Sequence, residues 1–191
     1  RAYLDQVGQL VPANEEQASL RDRANLALGF ALLQQQGGDE AATALNRVRL
    51  DGPFTNRALL ALGWAEANAD RPERALVPWL ELQQRKLLDA PVQESLLAVP
   101  YAYVKLAANG QASQHYRTAV DAYATETRRL EESIGAIRGG GFLDAILQAS
   151  PRDDQAPGWF WQLESLPDAP HTRYLYHLLA SHEFQEGLKN Y

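Results

Sequence analysis

The histidines are the first candidates for chemistry in this sequence, and their spacing does not favour a metal or catalytic site. His177 and His182 are five residues apart, which places them about 140° apart around a helix, so they do not share one face. His182-Glu183 also lacks the second histidine that a zinc-binding HExxH motif requires. We therefore interpret both histidines as ordinary surface or packing residues.

Other patterns that could carry chemistry are equally incomplete. The glycine run at 139–141 lacks the Lys-Ser/Thr ending of a phosphate-binding loop, so we interpret it as a helix-terminating linker. The adjacent carboxylates at 131–132 and 153–154 point in different directions, unlike the facing pair that acid/base catalysis needs. The chain has no cysteine, which excludes thiolate zinc sites and cysteine nucleophiles. The sequence therefore predicts a protein that is not an enzyme and that has no metal or cofactor.

Composition indicates an all-α fold. The 191 residues include 30 Ala and 29 Leu but only 8 Val, 3 Ile and 6 Thr, so strong helix formers greatly outnumber β-branched residues. The net charge is −6, which argues against nucleic acid or an anionic membrane as the main partner. No apolar run approaches the roughly 18 residues that cross a bilayer, so we expect no membrane insertion.

An internal repeat accounts for much of this composition. Residues 23–31 read RANLALGFA and residues 57–65 read RALLALGWA, with seven of nine positions identical at a displacement of 34 residues. The match continues with Ala41 against Ala75 and with Leu45 against Trp79. A displacement of 34 is the period of a helix–turn–helix repeat.

The chain resembles the tetratricopeptide repeat family in these details, and in particular a group of exported tetratricopeptide proteins of Gram-negative bacteria whose role is not established. The resemblance implies a right-handed helical solenoid. Its repeat units are clearest over 22–55 and 56–89 and degenerate over 90–125, followed by an atypical helical segment at 126–167. The start of a further unit at 168–191 implies that the chain is one continuous fragment of a longer array. It also implies a periplasmic or cell-envelope location, with the cytoplasm as the alternative.

The repeat also predicts how the helices pack. Gly29 should face Ala41, and Gly63 should face Ala75, where paired helices cross closely. Asp39 and Asp70 are predicted to cap the second helices. For the third unit, matching Asn109-Gly110 to Ala69-Asp70 gives a displacement of 40. A long second helix over 111–137 carries apolar residues at spacings of three, four and seven, typical of a coiled-coil stripe.

The family resemblance places a partner-binding groove on the first helices of the units. Phe30 and Trp64 stand where groove-binding members that clamp a carboxylate have Asn, which favours an apolar or acidic segment over a charged chain terminus. An alternative is that the chain's own later helices cover both rings; Trp159-Phe160-Trp161 could likewise be a core plug or a docking patch. The implied groove residues are Arg23, Leu26, Phe30, Leu33, Gln34, Arg57, Leu60, Trp64, Ala67 and Asn68, with Pro100, Val104, Ala108, Thr172 and Tyr176 in the later units.

Two functions follow as hypotheses. The first is a non-enzymatic scaffold that presents the groove to a protein or peptide partner. The second is an assembly module in which the 111–137 helix mediates self-association.

Overall fold

The computed structural model describes residues 1–140, 172–179 and 181–189, and within these ranges every regular element is a helix, which confirms the all-α prediction. Contacts divide the chain into two compact units, residues 1–120 and 121–191. Most of the predicted insert at 126–167, including Trp159-Phe160-Trp161, lies outside the described residues. The helices are α1 Ala2–Gly8, α2 Glu15–Leu33, α3 Gly38–Leu45, α4 Thr55–Asn68, α5 Pro72–Gln83, α6 Ala90–Lys105, α7 Asn109–Arg138, α8 Thr172–Leu179 and α9 His182–Lys189.

In the first unit, helices that follow one another along the chain from α1 to α6 pack against each other, and α4 also contacts both α2 and α6. The start of α2 is fixed by a reciprocal cap, in which the Asn14 side chain accepts a hydrogen bond from the Gln17 backbone N–H at 2.9 Å. The Gln17 side chain in turn accepts from the Ala13 backbone N–H at 2.9 Å. The chain therefore enters the first hairpin at a defined residue.

One turn geometry recurs at the end of α2, α4 and α6. Gln36, Asp70 and Ala107 adopt positive φ angles of 61°, 57° and 56°. In each case the backbone N–H of the following residue bonds a carbonyl five residues earlier in the chain, as Arg71 does to Glu66 at 3.0 Å. Asp70 therefore lies in the turn after α4 with a left-handed backbone conformation. The prediction that Asp70 caps α5 is wrong, because no side chain caps that helix.

These turns show that the third hairpin is displaced by 37 residues from the second. Asp70 and Ala107 are 37 residues apart, as are the buried Ala75 and Ala112 of the second helices, which are 0% and 3% exposed. The predicted displacement of 40 is wrong because Asn109 begins α7 and does not form the turn. At the corrected displacement, residues 95–102 (SLLAVPYA) align with residues 58–65 (ALLALGWA).

The two repeat glycines face large side chains of the second helices. A Cβ on Gly29 would lie 2.5 Å from Leu45 Cδ2, and a Cβ on Gly63 would lie 2.1 Å from Trp79 Nε1. The predicted glycine–alanine facing is therefore wrong. Each glycine leaves room for the bulky Leu45 or Trp79 to lie across the backbone of the first helix.

The predicted cap at Asp39 is also absent, because α3 begins at Gly38 and no side chain caps it. Asp39 instead makes an ion pair of 2.7 Å with Arg71, whose Nε also bonds Glu66 at 2.6 Å. This bridge connects the start of α3 to the turn between α4 and α5. The long predicted helix is confirmed, since α7 runs from Asn109 to Arg138.

The exposed carboxylates of Asp5 and Glu15 should make the stability of the fold depend on pH. Hydrogen bonds from Arg47 and Gln9 hold the pKa of Asp5 below its usual value, and a hydrogen bond from Arg49 does the same for Glu15. A carboxyl whose pKa is depressed in the folded state stabilises the fold above its unfolded pKa, and this contribution is lost as pH falls through the folded pKa.

We therefore expect the free energy of unfolding to fall as pH drops below about 4, the unfolded range of these carboxyls. Urea denaturation at a series of pH values from 7 to 2.5 measures this dependence. The double substitution Asp5→Asn and Glu15→Gln should make the decline shallower. An equally steep decline in the double variant would contradict the assignment to these two groups.

Candidate binding face on the first helices

Three aromatic side chains form a row across the first helices of the first unit. Phe30, Trp64 and Tyr101 occupy equivalent positions on α2, α4 and α6, because the hairpins repeat at 34 and then 37 residues. Phe30 is 38% exposed and Tyr101 is 37% exposed, while Trp64 between them is half-buried. Exposed aromatic residues at matched positions form a surface on which apolar groups can pack.

Trp64 connects this row to the core and to the next helix. Its ring lies edge-on to the fully buried Trp79 at 5.0 Å and tilted against Tyr101 at 5.8 Å. Its indole N–H donates a 2.8 Å hydrogen bond to Glu94 of α6. Neighbouring helices therefore cover Trp64 in part, whereas Phe30 keeps more than a third of its surface exposed.

Cationic side chains lie over both exposed rings. The Arg57 guanidinium carbon is 5.9 Å from the centre of the Phe30 ring, and Lys105 Nζ is 5.6 Å from the centre of the Tyr101 ring. Such cation–π contacts contribute about 0.5–1 kcal/mol each at exposed sites. They place positive charge beside the aromatic row.

Charged and polar residues form two further rows that flank the aromatic one. Seven residues before each aromatic position stand Arg23, Arg57 and Glu94, and four residues after it stand Gln34, Asn68 and Lys105. All six side chains are exposed. We call the residues of the three rows the aromatic face: Arg23, Phe30, Gln34, Arg57, Trp64, Asn68, Glu94, Tyr101 and Lys105.

Most of the groove residues expected in the first two hairpins do lie at or near this surface. Leu33, Leu60 and Ala67 are half-buried beside it. Leu26 is different, because it is 4% exposed and packs in a core cluster with Leu45 and Ala58. Its assignment as a groove residue is therefore wrong, since almost none of its surface is available to a partner.

In the third hairpin, burial contradicts one of the three expected groove positions, Pro100, and does not contradict Val104 or Ala108. Pro100 is buried and Ala108 is half-buried, while Val104 is 49% exposed. The residues that complete the face, Glu94, Tyr101 and Lys105, were missed. The signal that finds them is the 37-residue displacement between ALLALGWA and SLLAVPYA, which aligns Tyr101 with Trp64. Thr172 is buried in α8, and the side chain of Tyr176 lies outside the described residues.

A second apolar surface follows α7. Several large apolar residues of this helix are exposed, among them Tyr116 at 42%, Val120 at 66% and Leu130 at 43%. Small residues occupy the packed side, where Ala112 and Ala119 are 3% and 1% exposed. The predicted stripe is therefore split, since its alanines are buried and its larger members are exposed, except for the half-buried Tyr123.

The part of the chain that the structure describes contains neither a metal-binding cluster nor a membrane-spanning helix. Over 1–140, 172–179 and 181–189, no cluster of three or more histidine or acidic residues has the arrangement of a metal site. No helix within those ranges combines the length and apolar character needed to cross a membrane. The aromatic face is therefore the candidate site that the described residues support best. Comparisons with protein-family models, with curated proteins and with solved structures found no match to this chain.

Proposed function

We propose that this chain is a non-enzymatic scaffold of the tetratricopeptide type, a right-handed helical solenoid that binds a protein or peptide segment on its aromatic face. The observation that carries this proposal is the row of Phe30, Trp64 and Tyr101, which repeats on three helices and stays partly exposed. The recurrent hairpin turn and the glycines at 29 and 63 support the repeat architecture.

The chemistry of the face favours an apolar or acidic protein segment as the partner. Aromatic residues and arginine are the residue types that most often contribute large binding energies at protein interfaces. The chain as a whole carries a net charge of −6, yet the aromatic face carries Arg23, Arg57 and Lys105 against the single acid Glu94. An acidic segment would therefore meet local positive charge on an otherwise acidic protein. A location in the bacterial cell envelope rests on the family resemblance alone.

Affinity capture with the immobilised chain tests the proposal. The double substitution Phe30→Ala and Arg57→Ala should reduce capture of the partner at least tenfold, because both side chains are exposed and contact each other. Val77→Ala is the matched control, since Val77 is 70% exposed and lies on α5, a second helix. Circular dichroism confirms that each variant folds. Equal capture by the parent and the double variant would refute the proposal.

A second candidate function is self-association through α7. It is favoured by the exposed Leu130, Ile134 and Ile137, which are spaced four and three residues apart as in a coiled-coil seam. Sedimentation equilibrium of the parent chain should then show a dimer that Leu130→Glu with Ile134→Glu converts to a monomer. A parent that stays monomeric at high concentration would refute this candidate.

A further inference from the structure

We propose that two copies of this chain associate through α7 in an antiparallel arrangement, in which Arg117 of each copy pairs with Glu131 of the other. This inference rests on the second candidate function, self-association through α7, and adds the direction and the alignment of the two helices. It uses the heptad pattern of α7, the side of the helix that is buried within the chain, and the charges beside the exposed side.

An exposed row with heptad spacing follows most of α7. In the usual heptad lettering, its a positions are 120, 127 and 134, and its d positions are 116, 123, 130 and 137. Tyr123 is half-buried and Thr127 is exposed, and the five others are large apolar residues at least 36% exposed. We call these seven residues the α7 seam. A second helix that covers the seam would bury apolar surface at almost every turn.

A different side of α7 is buried within the chain. Ala112, Ala119 and Ser133 are at most 3% exposed, and Glu126 accepts a 2.8 Å hydrogen bond from Tyr174 of α8. These four α7 residues are spaced seven apart and form the g row of the heptad. A second helix on the seam therefore meets exposed side chains mainly in the e row, on the opposite side from the g row.

The e row carries the charges that set the direction of a second helix. All four of its residues from 117 onward are exposed: Arg117, Ala124, Glu131 and Arg138. Among the residues that the structure describes, neither Arg117 nor Glu131 has an ion-pair or hydrogen-bond partner. In an antiparallel pair with two-fold symmetry the e rows of the two copies face each other, and every contact occurs twice.

One antiparallel alignment satisfies both the seam and the charges. Positions 120, 127 and 134 then lie opposite positions 130, 123 and 116 of the second copy, so apolar residues meet along the seam. The same alignment sets Arg117 against Glu131 of the second copy. A shift of one heptad in one direction sets Arg117 against Arg138. The opposite shift sets Leu130 against Ser113 and Ile134 against Asn109, which loses apolar burial.

A parallel second helix meets like charge instead. In that arrangement an e residue lies beside the g residue five positions earlier in the other copy. Glu131 would then lie beside Glu126 of the second copy, and Arg117 would lie beside Ala112, which cannot form an ion pair. Charges beside a seam decide the orientation of paired helices, so the antiparallel arrangement is favoured.

Sedimentation equilibrium of the full 191-residue chain tests the charge pairing. Arg117→Glu places two acids together at both ends of the seam and should weaken dimerisation about tenfold or more. Adding Glu131→Arg restores opposite charges and should return the dimerisation constant to within about threefold of the parent. Arg74→Glu is the matched control, because it makes the same charge change at an exposed position of α5 and should alter dimerisation less than about twofold. Circular dichroism confirms that each variant folds.

The chain has no cysteine, so single introduced cysteines can carry spin labels that report the orientation directly. In the proposed alignment residue 138 lies opposite residue 112 of the second copy, so labels on Arg138→Cys should be about 39 Å apart along the helices. Labels on Ala124→Cys should be only about 3 Å apart along the same direction. In a parallel dimer, both positions would give short distances in pulsed electron resonance.

The outcomes separate this inference from the candidate function on which it rests. A parent chain that stays monomeric at high concentration overturns both. A dimer that Arg117→Glu leaves unchanged, or whose labels at position 138 lie close together, overturns the antiparallel alignment alone and leaves self-association through α7 in place. Failure of Glu131→Arg to restore dimerisation in the Arg117→Glu variant likewise overturns the pairing of these two residues.

Discussion

Replacing Trp79 with alanine should lower the free energy of unfolding by about 3–5 kcal/mol, the range for removing a large aromatic side chain from a core. Trp79 is 0% exposed and belongs to a cluster that includes Leu82 and Val99. Its indole N–H donates a 3.2 Å hydrogen bond to the Leu60 carbonyl. The substitution therefore removes apolar burial and a helix-to-helix hydrogen bond at the same point.

Urea denaturation of the full chain, followed by circular dichroism, measures the loss. Val77→Ala on the same helix is the control, because Val77 is 70% exposed and should change the free energy of unfolding by less than about 0.5 kcal/mol. Similar losses in the two variants would contradict the central position assigned to Trp79.

The contact between Trp79 and Gly63 predicts that the effect of Gly63→Ala on stability depends on whether Trp79 is present. In the parent chain, Gly63→Ala should destabilise the fold, because the new Cβ would lie 2.1 Å from Trp79 Nε1. In the Trp79→Ala background that obstacle is gone, and alanine has a helix propensity about 1 kcal/mol better than glycine. Gly63→Ala should then be neutral or stabilising. A loss of equal size in both backgrounds would contradict the contact.

The helices and their order were predictable from sequence, because helix propensity and the repeat both operate over short distances. The partner of each glycine was not, because it depends on the angle at which two helices cross. Sequence alone identified that Gly63 needs close packing but could not tell whether Ala75 or Trp79 approaches it. The structure places Trp79 there.

The exposure of a repeat position was even less predictable. Leu26, Leu60 and Leu97 occupy the same position in three hairpins, yet Leu26 is 4% exposed, Leu60 is half-buried and Leu97 is 50% exposed. Identical residues at one repeat position differ because each has different neighbouring helices along the array. Carrying a groove position from one hairpin to the next therefore does not establish which side chains are accessible.

In the third hairpin, a three-residue error in the repeat alignment led to the wrong residue being matched with Trp64. The assumed displacement of 40 aligned Trp64 with Val104, whereas the displacement of 37 aligns it with Tyr101. The two displacements differ by three residues, which is close to one helical turn. Both alignments therefore place similar residues on the same side of α6, and hydrophobic periodicity does not distinguish them. The backbone turn at Ala107, with its φ of 56°, establishes the displacement of 37.

The second large effect is expected at Asp22, whose side chain is 0% exposed near the start of the first hairpin. Arg49 Nε donates a 2.6 Å hydrogen bond to Asp22, and its Nη1 lies 2.8 Å from Glu15. These hydrogen bonds, the one to Glu15 first, raise the pKa of Arg49. The guanidinium therefore joins α2 to the segment after α3 and neutralises a buried carboxylate.

Arg49→Ala should lower the free energy of unfolding by about 3–5 kcal/mol, since it leaves Asp22 buried with only the longer 3.5 Å contact to Arg21 as an ion pair. Arg47→Ala is the control, because its pair with Asp5 is half-exposed and should contribute at most about 1 kcal/mol. Both losses are measured by urea denaturation at pH 7.

The pair also predicts strong non-additivity. Asp22→Ala removes the buried charge that Arg49 neutralises, so adding Arg49→Ala to Asp22→Ala should cost at least about 1 kcal/mol less than Arg49→Ala costs in the parent chain. The reason is that a buried charge without its partner destabilises the fold more than the absence of both charges does. Additive losses in this double-mutant cycle would show that Asp22 and Arg49 stabilise the hairpin independently, and the stabilising role would then belong to the Arg49–Glu15 contact.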